Sequence, residues 1–99
     1  MKNKEESLKV LRSLSKAPEA SQRELARELG FSIGKLNYCL KSLKDKGLLK
    51  IESFKKNPNK FNYIYILTPK GVSEKTKLTL NFMKRKMEEY DELKKDLKK

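Results

Sequence analysis

Hydrophobic positions along this chain change period several times, and each change marks a new element. Leu8, Leu11 and Leu14 recur at helical spacing with Val10 beside them, which predicts a first helix. Asn3 can cap it, with Glu6 as the reciprocal partner three residues on. Ala17-Pro18 ends it, because the residue before a proline is pushed out of the α region. Glu19-Ala20 is expected as a short edge strand. Ser21-Gln22-Arg23-Glu24 is a capping box, followed by a narrow apolar stripe of Leu25, Ala26 and Leu29. Gly30 suits a left-handed helix end, Phe31 is expected as a buried plug in the turn, and Ser32 caps the next helix.

In that third helix Ile33, Leu36, Leu40 and Leu43 define the buried stripe. The opposite face carries Gly34, Lys35, Tyr38, Lys41, Ser42 and Asp45, with Asn37 and Lys44 on the flank. Gly47 closes the helix. Two helices joined by about three residues around a glycine have the spacing of a helix-turn-helix.

The period then drops to that of strands. Residues 48–54 read as a strand and residues 61–67 as a second one, rich in aromatic and β-branched residues, with the turn-forming run 55–60 between them. That makes a hairpin with a six-residue basic loop, a wing directly after the helix-turn-helix. Thr68-Pro69 is a helix start, cap then proline. The helix that follows can run about 45 Å to the C-terminus, and Gly71 in its first turn weakens it only locally. Thr76, Leu80, Met83, Met87, Tyr90 and Leu97 keep a four-three spacing that Lys94 interrupts, and Leu93 widens the stripe. Nothing else in the chain can cover this seam beyond the first few turns, so it implies a partner helix. The fold class is mainly α with a small β-hairpin (α+β). Residues 1–67 are expected to form a winged helix-turn-helix DNA-binding domain, and residues 68–99 a C-terminal helix that serves as a dimerisation element.

Charge sharpens the picture. Lys and Arg outnumber Asp and Glu 25 to 13, for a net charge of +12. Residues 35–60 hold eight lysines against Asp45 and Glu52, so half of the excess falls on the third helix and the wing. Such a field attracts polyanions. With 36% of the chain hydrophobic and 38% charged, the core is small.

Catalysis finds no support. There is no histidine and only one cysteine, Cys39, so no disulfide within the chain, no Cys/His metal site and no Cys/His or Ser/His pair can form. No phosphate-binding glycine motif is present. No cofactor and no enzyme activity are expected. Cys39 reads as a small core or edge residue. No apolar run is long enough for a membrane span, and no signal-peptide pattern is present. A cytoplasmic protein is expected.

The exposed face of the third helix has the right chemistry for duplex DNA. Ser32 and Gly34 are small, so the helix start can approach the duplex closely, and its free N–H groups suit a phosphate. Lys35 and Lys41 can meet guanine or phosphate, Asn37 suits adenine, and Tyr38 stands at the centre of the face. Lys44 lies on the flank, while Asp45 would repel phosphate and marks where the helix leaves the groove. Lys55, Lys56 and Lys60 of the wing can reach the flanking backbone, with Asn57 and Asn59 suiting its turn. Gln22 and Arg23 open the second helix where a backbone clamp is placed.

The order of parts resembles the MarR family of winged-helix regulators, from Ser21 to Gly71. The resemblance rests on SQRELARELG, on Lys46-Gly47-Leu48-Leu49, and on Leu67-Thr68-Pro69-Lys70-Gly71, which fits the family's L-T-x-x-G. The chain is most similar to a short subgroup associated with exopolysaccharide gene clusters. There, S-x-G-K-x-N-Y-C-L-K-x-L resembles Ser32 to Leu43, and R-K-M-x-E-Y resembles Arg85 to Tyr90. The resemblance implies a homodimer that binds an operator and represses or activates transcription. Larger members carry an Asp/Arg signature in the wing; this wing has only lysines, so arginine reading of the minor groove is not carried over. The chain also lacks the extra helices that complete the ligand pocket of larger members, which argues against a small-molecule effector. Two other readings fit the charge and the fold: a non-specific or architectural nucleic-acid binder, and a winged-helix protein-interaction module.

Overall fold

The structure is a computed structural model. It describes residues 4–18, 20–57 and 60–98, the side chains of 54–63 excepted. Four helices and one hairpin follow each other as α1 (Lys4–Lys16), α2 (Gln22–Leu29), α3 (Ile33–Asp45), β1 (Leu49–Asn57), β2 (Lys60–Leu67) and α4 (Pro69–Asp96). Asn3, the expected cap of α1, and Glu19 lie outside the described residues. Ala20 is not in a strand: its N–H donates to the Ala17 carbonyl in a turn, and β1 and β2 make up the only sheet among the described residues.

The local signals act as the sequence predicts. The Ser21 hydroxyl accepts from the Glu24 N–H and the Ser32 hydroxyl from the Lys35 N–H, which satisfies an orphan donor at each helix start. Both helices end alike. Gly30 and Gly47 take left-handed φ values of 73° and 77°. The next residue then donates back into the last turn, Phe31 to the Ala26 carbonyl and Leu48 to that of Leu43. These two glycines therefore fix where the chain goes after each helix. Phe31 packs against the core but is only partly buried, so it is less of a plug than expected.

One leucine-rich core unites the helices. Leu8, Val10, Leu11 and Leu14 of α1 meet Leu25 and Ala26 of α2, and Leu36, Cys39, Leu40 and Leu43 of α3; Leu48, Leu49 and Leu78 close it. Ile33 does not belong to this stripe. It is 44% exposed, and Cys39, 2% exposed, takes its place. At 100° per residue Ile33 lies about 70° from the centre of the buried arc, and it sits at the end of α3, ahead of the first buried turn.

The wing strands are antiparallel, from Leu49 opposite Leu67 to Asn57 opposite Lys60, with a register shift between Lys55 and Asn57. The basic segment 55–60 is therefore not a six-residue loop. Ladder pairing continues through Lys55 and resumes at Lys60, and Leu48 stands just before β1 as a buried residue.

The start of α4 is fastened to the end of α3. The Thr68 hydroxyl accepts from the Gly71 N–H and donates to the Gly47 carbonyl at 2.6 Å. The Thr68 N–H donates to the Leu48 carbonyl, and the Lys70 ammonium to that of Lys46. Gly71 is buried against this junction, and a Cβ built on it would overlap the Leu48 carbonyl oxygen. Its role is close approach, which the sequence reading of a local weakness missed. Beyond the junction, Leu78 and Phe82 pack against the core, and Arg85 reaches Glu5 of α1.

Candidate nucleic-acid interface

The turn Gly30-Phe31-Ser32 sets α3 beside α2 with its polar side outward. Gly34, Asn37, Tyr38, Lys41 and Lys44 are all exposed on it. A Cβ on Gly34 would meet nothing within 4 Å, so the first turn of α3 presents an open, low surface. Tyr38 is 65% exposed and lines an open hollow with Lys41, Ser42, Asp45 and Lys46. Among the described residues, no helix shields this face. It is a convex helix bearing two ammonium groups, an amide and a phenol, a combination suited to the edges of bases and to phosphates.

Lys35 departs from expectation. Its ammonium lies 3.2 Å from the Glu6 carboxylate of α1 and 4.4 Å from the centre of the Phe31 ring. Position 35 falls on the side of α3 that turns toward α1, so Lys35 is held at the edge of the exposed face. Both partners remain partly exposed, so the pair is weak in water, but it directs the ammonium away from the line of Asn37 and Lys41. Ser42 is half-buried on the same side.

Gln22 and Arg23 are exposed in the first turn of α2. Lys55, Lys56 and Lys60 lie on the wing strands, and their side chains are outside the described residues, as is Asn59. Cys39 is inside the core, where burial first and the Glu6 carboxylate second push its thiol pKa up from 9.0, with Lys35 acting in the opposite sense. No group of histidine, cysteine, aspartate or glutamate residues that could hold a metal ion occurs among the described residues.

The expected seam is present on α4. Thr76, Leu80, Met83, Met87, Tyr90, Leu93 and Leu97 are all exposed, and Val72, also exposed, prolongs it toward the junction. The seam lies about 130° around α4 from the face formed by Gly71, Leu78 and Phe82, so the helix uses separate sides for its own core and for the seam.

These parts define a winged helix-turn-helix. Residues 7–50 match the family model described as winged helix-turn-helix DNA-binding. The fold is also that of solved MarR-type regulators. The PcaV transcriptional regulator of Streptomyces coelicolor, solved with its natural ligand, is 19% identical with a TM-score of 0.67, over 79% of this chain and 54% of its own. The Staphylococcus aureus MarR protein, solved with salicylate and kanamycin, is 19% identical with a TM-score of 0.69, over 87% of this chain and 56% of its own. The zinc-responsive MarR family member ZitR of Lactococcus lactis is 22% identical with a TM-score of 0.62, over 89% of this chain and 58% of its own. The chain thus spans a little over half the length of these proteins. No curated protein sequence matches it significantly.

Proposed function

We propose that this chain is a MarR-type transcriptional regulator. It binds a specific double-stranded operator as a homodimer, with α3 in the major groove and the lysine-bearing wing on the flanking backbone. Residues 1–67 are the DNA-binding unit, and residues 68–99 hold the two copies together, the first turns of α4 also completing the core. The contact set is Gln22, Arg23, Ser32, Gly34, Asn37, Tyr38, Lys41, Lys44 and the wing lysines 55, 56 and 60, with Lys35 at its margin. The observation that carries the reading is the uncovered face of α3, polar and basic from Asn37 to Lys44 and placed directly before a basic hairpin. Dimerisation is supported by the seam on α4 and by surface area. The chain exposes 7612 Å², against roughly 5,800 Å² for a compact monomer of its mass.

Selection from a randomised duplex pool at near-physiological salt, with sedimentation of the complex, tests the proposal. The expected result is an enriched inverted repeat bound by two chains. Retention without enrichment, lost steeply as salt rises, would replace specific recognition by an architectural role. No retention at all would leave a protein-interaction module.

A further inference from the structure

We propose that Ile33 is a specificity-determining residue that reads the 5-methyl group of a thymine in the operator half-site; the assignment rests on the DNA-binding reading of α3. Its hydrophobic side chain predicts a core position, yet the fold leaves it 44% exposed at the first position of α3. A lone exposed apolar residue means little; its surroundings give this one meaning. Ile33, Asn37 and Lys41 follow one another at four-residue spacing, so they form one row along the exposed side of the helix. The residues on either side of Ile33, Ser32 and Gly34, are small, and the space above Gly34 is open. With Lys35 drawn aside toward Glu6, Ile33 is therefore the tallest side chain left on the groove side of the turn that would enter first.

Of the four base edges in the major groove, only thymine offers a methyl group there, and apolar side chains contact it. Isoleucine is branched at Cβ and stiff about χ1, so little rotamer freedom is lost when it is fixed in place. An asparagine one turn further on suits adenine, so the row addresses a thymine methyl and an adenine edge within a few base pairs, followed by a base or phosphate for Lys41.

Uracil differs from thymine by the methyl group alone. Each thymine of a selected half-site is replaced in turn by deoxyuridine, and the dissociation constants of the wild type and Ile33→Ala are measured. One replacement should weaken the wild type about fourfold per half-site, the equivalent of one buried carbon, and about fifteenfold when made in both. The same replacement should leave Ile33→Ala unchanged, while thermal unfolding of the variant stays near that of the wild type. A selected duplex that binds tightly but shows no uracil-sensitive position would overturn the assignment of Ile33 alone. Equal losses in the wild type and the variant would do the same. A wild type that binds no duplex would remove the DNA-binding reading and this inference together.

Discussion

Cys39 shows how one residue reports on the packing of α3. Its side chain is buried in the same cluster as Leu36 and Leu43, and burial raises its pKa. The folded state therefore keeps its proton at a pH where the unfolded chain has begun to lose it. Between the ordinary thiol pKa and the raised folded value, the native state binds more protons, so stability falls as pH rises. Below that window the contribution is complete. Urea unfolding from pH 7 to pH 10 should show a loss at the alkaline end that is absent from Cys39→Ala. The same burial predicts slow reaction with thiol reagents in the folded protein and fast reaction in urea.

Elements are where sequence and structure agree best, and the agreement has a physical basis. Ser21, Ser32, Gly30 and Gly47, and Thr68 in capping Gly71, act on their own backbone neighbours, so these consequences are written within a few residues. What was not legible depends on distant partners. Lys35 belongs by period to the polar face, but Glu6, 29 positions earlier, draws it aside. Ile33 fits the heptad-like count, yet whether a first turn is covered depends on how far the core extends. Gly71 looks like a flaw in a helix until Leu48 is placed against it. Its substitution is accordingly diagnostic. Gly→Ala within a helix ordinarily gains about 1 kcal/mol. Here Gly71→Ala should instead lose about 2 kcal/mol, because the added methyl must displace the Leu48 backbone. Urea titration of the two proteins would measure the sign as well as the size.

The whole molecule is elongated, 66 × 26 × 22 Å. Its radius of gyration is 16.8 Å, where a compact chain of this length has about 13 Å. Much of the excess comes from the outer half of α4, whose exposed Met83, Met87 and Tyr90, like Leu80 before them, have no cover among the described residues. Placing charge on that seam separates assembly from recognition. Met83→Glu combined with Met87→Glu should sediment as a monomer. It should bind an inverted repeat about a hundredfold more weakly, since the second half-site no longer gains from being tethered. Its affinity for a single half-site should stay close to that of the unaltered chain.

The two sides of α4 also make its length informative. One side is pinned at Gly71, Leu78 and Phe82; the other begins at Val72 and continues past Tyr90. Substitutions along the helix adjust fit on one side at a time. A single residue added after Phe82 would turn everything beyond it by about 100° and carry it 1.5 Å outward, leaving each side chain intact but facing the wrong way. In lineages descended from this chain, the outer half of α4 should therefore exchange residues only within the apolar pattern of its seam, and gain or lose residues only in steps that restore the phase, three or four at a time.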